Sequence, residues 1–140
     1  MTKLTRIAMT APLATALAGT LSAATPDQVG TWTGSMKTIT TNVSGSKTKA
    51  KAEMIVEIGA DNSTTVTIGG TVHVTPTAGY TDTDGSFLFA SNGPPPIIGI
   101  AAVSFKGTSM KGVATAASIL PGPPQVLVST SESKIKLKKN

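Results

Sequence analysis

The 140-residue chain has no cysteine, one histidine, one Trp, one Tyr and three Phe. Without cysteine there is no disulfide framework, no thiolate metal ligand and no cysteine nucleophile. The single histidine, His73, has no second His or Cys with which to share a zinc ion. Arg6 is the only arginine, so the remaining chain cannot clamp phosphate, carboxylate or guanine bidentately. Sequence-specific nucleic-acid recognition is therefore not expected, although loose attraction to polyanions stays open. Aromatic residues make up 4% of the chain, too few for the girdles of an outer-membrane barrel.

What is present begins with an address. Residues 1–6 form a short cationic start, and Ile7 to Leu21 follows without a charge. Pro12 interrupts that run, which is shorter than the ~20 residues of a spanning helix. It closes on Ser22-Ala23-Ala24, with small residues where a signal peptidase reads. This layout is that of a secretory signal peptide over residues 1–24. The expected mature chain, residues 25–140, is secreted or periplasmic and has no transmembrane segment. It keeps ten basic residues, all lysine, against seven acidic ones, a charge near +3.

From Val29 onward the ruling pattern is alternation with period two, the signature of strands. In Lys47 to Ile58, residues Thr48, Ala50, Ala52, Met54, Val56 and Ile58 share one face. Lys47, Lys49, Lys51, Glu53 and Glu57 share the other. One wet and one dry face imply an antiparallel sheet. Val66, Ile68, Gly70, Val72 and Val74 continue the pattern as one strand, with Gly69-Gly70 as a mid-strand bend. Upstream, Trp32, Gly34, Met36 and Thr38 lie on one face of a strand over residues 30–42. Downstream, a hairpin is expected around Asp84-Gly85, followed by Pro-rich loops at 94–96 and 121–124. Ile97 to Lys106 is apolar on both faces and reads as the most buried strand. Met110 to Leu120 reads as a strand with a helix as alternative, and Gln125 to Lys138 as one strand or two. About eight strands without a helical crossover predict an all-β domain, a single antiparallel up-and-down β-barrel, with a β-sandwich as the alternative.

The segment Gln28-Val-Gly30-Thr-Trp32-Thr-Gly34 resembles the opening of the calycins: lipocalins, avidins and lipocalin-like protease inhibitors. The Gly30-x-Trp32 pair carries this resemblance. It implies a barrel with the tryptophan plugging one end and an opening at the other. The arginine that lipocalins pack over that tryptophan from the last strand has no counterpart here.

Two candidate sites follow. Strand phase points Trp32, Met36, Met54, Val56, Val66, Ile68, Val72 and Val74 inward, where they would line a cavity for a small apolar ligand; Ala50 and Ala52 leave room. Outside, Lys47, Lys49 and Lys51 alternate along one strand, and Lys134, Lys136 and Lys138 along the last. If the first and last strands pair, both rows flank Lys37, and the seven lysines form a wall suited to an anionic envelope surface. The plainer reading is that these lysines guard strands against mispairing. His73 falls on a threonine-rich face and reads as a surface residue. Asp82-Thr-Asp84-Gly85 resembles part of a calcium loop but lacks a downstream glutamate, and reads as a turn. No catalytic residues, metal or cofactor are expected. The leading expectation is a non-enzymatic binding protein with an apolar interior ligand. The alternative is a filled barrel acting through its surface, as an envelope interaction module or protease inhibitor, with Ile97, Ile98, Ile119 and Leu120 as contacts.

Overall fold

The computed structural model describes residues 23–61, 63–73, 75–91, 96–120 and 122–140. Residues 1–22 of the expected signal segment lie outside the described residues, as do Val74 and most of the first Pro-rich loop.

Strands form where β-branched residues alternate with polar ones and can pack on a pleated surface. They are β1 (Gly30–Asn42), β2 (Lys47–Ile58), β3 (Thr64–Ile68), β4 (Thr71–His73), β5 (Ala78–Tyr80), β6 (Asp84–Ser91), β7 (Ile97–Lys106), β8 (Ser109–Leu120) and β9 (Val126–Lys139). All pairings are antiparallel, in one sheet of order β4-β3-β2-β1-β9-β8-β7-β6-β5. No described residue is helical, which settles the alternative for β8. The fold is thus an antiparallel barrel-like half-cylinder, one strongly curled sheet in place of a two-sheet sandwich. Its first and last strands are neighbours at the centre, Lys37 lying beside Lys134.

Among the described residues there are nine strands where about eight were expected, because the stretch after Thr64 is not continuous. Gly69 and Gly70 have φ of 58° and 85°. Left-handed backbone at both central residues makes a two-residue hairpin loop whose twist suits the flanking strands. The chain therefore reverses where a bend was expected, and Val66 pairs with His73 while Thr67 pairs with Val72. This corrects two expectations. Val72 points outward at 63% exposure, and His73 points inward at 7%.

Two further boundaries differ. The β5–β6 turn occupies residues 81–83, closed by the Thr81 amide donating to the Asp84 carbonyl at 2.8 Å; Asp84 and Gly85 are already strand. Strand β9 runs unbroken, with an irregularity where it passes Ser118 and Ile119. In the β2–β3 turn, the Ser63 hydroxyl and amide hold the exposed Asp61 carboxyl below its ordinary range.

The edge strands β4 and β5 have no ladder between them among the described residues. Instead the seam is bridged by a Thr64–Tyr80 hydroxyl pair at 2.5 Å. The His73 and Phe89 rings meet edge-on at 5.8 Å. Behind the seam lies the core, with Trp32, Met54, Val56, Val66, Phe87, Ala101 and Met110 at 0% exposure. Each such large apolar side chain stabilises the fold by roughly 1.5–3 kcal/mol relative to exposure. Glycines make room for rings: a Cβ on Gly85 would stand 2.7 Å from the Tyr80 ring, and one on Gly99 would run into Phe89.

The core fills one end of the half-cylinder. At the other end, β3 reaches only Met54–Ile58 of β2. Residues 47–52 of β2 thus form an uncovered edge, and Ala50, expected inside, is exposed.

Candidate functional site

The expected interior site divides in three. Trp32, Met36, Met54, Val56 and Val66 are buried together, with Ile68 partly buried against them. Val72 is on the opposite face, and Val74 is outside the described residues. The space beside Trp32 is occupied. Phe105 meets its ring edge-on at 5.3 Å, and Tyr80 lies 6.2 Å beyond Phe105. Lys139 also approaches it, with Nζ 5.8 Å from the Trp32 ring centre and donating to the Asp27 carbonyl at 2.9 Å. All five aromatic residues belong to this core or pack on it.

Gln28 organises the end of the core, and sequence pattern did not single it out. It is 1% exposed. Its Nε2 donates to the carbonyls of Thr81 and Asp82 at 2.7 and 3.3 Å, while its Oε1 accepts from the Thr25 amide at 2.9 Å. The Gln28 carbonyl accepts from Trp32 Nε1 at 2.9 Å. One side chain thus ties the N-terminal turn to the β5–β6 turn. No local signal marks a glutamine whose partners lie over fifty residues away.

The outward face holds the lysines. Because β1 lies between β2 and β9, Lys51, Lys37 and Lys134 stand side by side on three strands. One register step away are Lys49, Ile39 and Glu132. On the other side, Lys136 adjoins Lys111 of β8, and Lys138 adjoins Ser109. Lys47 stands at the far tip of β2, opposite Thr41. No lysine in these rows forms an ion pair among the described residues. Like charges directly opposite one another across strands are destabilising, so this arrangement opposes folding slightly.

The two rows continue onto β8 and β7. The first runs Lys51, Lys37, Lys134, Val113, Ala102; the second runs Lys49, Ile39, Glu132, Thr115, Ile100. Between them is a half-open trench of about 1060 Å³, with Thr38, Ala50, Ala114 and Ser133 as the strand residues beneath it. A strongly twisted sheet is saddle-shaped, so its outward surface is concave along one diagonal. A smaller hollow of about 570 Å³ lies next to it and includes Lys111, Lys136 and Lys138. Ile39 and Val113 in the trench are 44% and 42% exposed. The apolar outward residues of β7 are not buried, against the expectation of a strand closed on both faces. Only its inward face is closed, and Ile98 is 53% exposed.

His73, now inside, has Nδ1 3.1 Å from the Thr71 carbonyl and the Phe89 ring against it. In the Asp82-Thr83-Asp84-Gly85 segment, Asp84 accepts from the Ser104 hydroxyl at 3.0 Å. Among the described residues no three His, Asp or Glu side chains gather as a metal site. No helix there is long and apolar enough to cross a membrane. Comparison with protein-family models, curated proteins and solved structures finds no match to this chain.

Proposed function

We propose that the protein is a non-enzymatic binding module, exported through its N-terminal segment, that acts through the outward face of its sheet on an anionic envelope surface. The observation that supports this most is the unpaired row Lys51–Lys37–Lys134, flanked by Lys49, Lys136 and Lys111. Three cations side by side, with Glu53 and Glu132 only one register step away and forming no ion pair with them among the described residues, disfavour the folded state less when an external anion shares their field. The filled-barrel alternative from the sequence thereby has better support than an interior apolar ligand. Phe105 packs edge-on against Trp32, and the Lys139 ammonium lies over its ring.

The calycin resemblance stays part of this proposal. Lys139 of the last strand lies over Trp32, where lipocalins place an arginine. That contact supports the resemblance in architecture and says nothing of a ligand.

The test is co-sedimentation with phosphatidylglycerol vesicles and with phosphatidylcholine vesicles. Binding is expected to the anionic vesicles alone at low salt and to disappear at high salt, as screening requires. Each lysine near such a surface contributes about 1 kcal/mol, so Lys37→Gln is expected to weaken binding roughly fivefold. Absent or salt-insensitive binding overturns the reading.

A further inference from the structure

We infer that the trench between the two outward rows is a binding site for a single anionic amphiphile, specifically a free fatty-acid anion. This rests on the proposed anionic-surface reading and deepens it from a charged face to a discrete site.

The trench is polar along its length in the way such a molecule is. Its β2–β1 end carries Lys49, Lys51 and Lys37, with Lys134 next on β9. Its β8–β7 end carries Val113, Thr115, Ala102 and Ile100, with Glu132 beside Lys134 on β9 and Ile39 on β1 among the lysines. Five strands are four inter-strand steps of about 4.8 Å, so the trench extends roughly 19 Å across them. A carboxylate placed between Lys37 and Lys51 has its chain directed between Lys134 and Glu132 on β9 and then over Val113 toward Ile100 and Ala102. The chain would cover the half-exposed Ile39 and Val113, which the fold itself leaves in water. The carboxylate would relieve the repulsion of the lysine row.

Charge complementarity selects the headgroup. Four lysines face the trench against one carboxylate, Glu132, which stands on the same strand as Lys134. A neutral amphiphile gains nothing at the β2–β1 end. A short carboxylate gains nothing at the β8–β7 end. A soluble acidic peptide would leave the apolar end uncovered. Lysines suffice for a monodentate carboxylate, whereas planar bidentate capture needs arginine.

The experiment is titration calorimetry of the full-length folded protein with dodecanoate below its micelle concentration. Dodecanol and acetate serve as the uncharged and chainless controls, and the vesicle assay above is run in parallel. One dodecanoate per protein is expected, with dodecanol and acetate at least roughly tenfold weaker. Val113→Thr keeps a β-branched residue at an exposed site, so folding is retained. It is expected to weaken dodecanoate several-fold while leaving vesicle binding unchanged. Lys37→Gln is expected to weaken both. Vesicle binding without dodecanoate binding overturns this inference and leaves the surface reading standing. Dodecanoate binding unaffected by Val113→Thr also overturns it, because the molecule then sits elsewhere. Failure of both ligands removes the surface reading as well.

Discussion

Tyr80 shows how one side chain records the closure of the seam. It is 2% exposed, and its hydroxyl meets that of Thr64 across the gap. Burial pushes its pKa up to about 12, against the Thr64 contact, which lowers it. The unfolded phenol titrates near 10. Between pH 10 and 12 the unfolded chain releases the proton while the folded one keeps it. The folded state binds more protons there, so stability falls as pH rises. The loss is expected to reach roughly 2–3 kcal/mol at pH 12, about two units at 1.36 kcal/mol each. Denaturant melts across that range, with phenolate absorbance as the readout, measure it directly because Tyr80 is the only tyrosine. Tyr80→Phe is expected to lose about 1 kcal/mol at neutral pH and to lack the Tyr-linked part of the alkaline decline. A wild-type absorbance midpoint near 10 would show the seam to be open. Gln28 works on the same scale, gathering three backbone groups around one buried amide while its own carbonyl holds Trp32 Nε1.

The element most altered between pattern and structure is the β3–β4 hairpin. Alternation placed Val66, Ile68 and Val72 on one face, and it was right up to Ile68. A two-residue loop reverses the chain, after which odd-numbered residues face the core. The glycine pair fits either a bulge or a loop, and alternation does not distinguish them until one side of the turn is seen to be buried. The same elements hold a direct check. Val72→Ser is expected to change stability by less than about 0.5 kcal/mol, as for an exposed site. Val66→Ala, at 0% exposure, is expected to cost about 2–3 kcal/mol. His73→Ala falls between, through loss of the edge-on Phe89 contact. Urea unfolding of the three variants reads this order, and a large effect of Val72→Ser would place that residue inside. The span of strand β2 was legible, because a lysine at every second position fits a strand with one wet face, but its dry face holds only from Met54 to Ile58, Thr48 and Ala50 being exposed. The trench was not legible. Its walls come from five strands, and only the register brings Lys51, Lys37, Lys134, Val113 and Ala102 into one line.

At the scale of the whole molecule, the pairing of β1 with β9 decides the architecture. The all-β class followed from short turns and the absence of helical crossovers, and the meeting of first and last strands was a condition on the barrel that the register meets. The place of the seam did not, because it depends on how far β3, β4 and β5 reach. The contacts joining the ends are among the longest in sequence; the Thr33 hydroxyl donates to Asn140 Oδ1 across 107 positions. Long loops of this kind slow folding. Residues 27 and 139 are already in contact, so a short flexible linker from Asn140 to Thr25 spans the join. A circular permutant opened near Thr75, between the two edge strands, would turn the sheet into an uninterrupted meander. It is expected to refold several-fold faster in stopped-flow experiments, with similar equilibrium stability. An unchanged rate would mean that joining β1 to β9 does not limit folding.

The same central pairing has a consequence for biosynthesis. As the polypeptide emerges N-terminus first, the first hairpin appears with one flank waiting for residues 126–139. Those residues follow only after the eight preceding strands. Two incomplete halves are all that a nascent chain can assemble, and the middle of the sheet is the last part to be sewn.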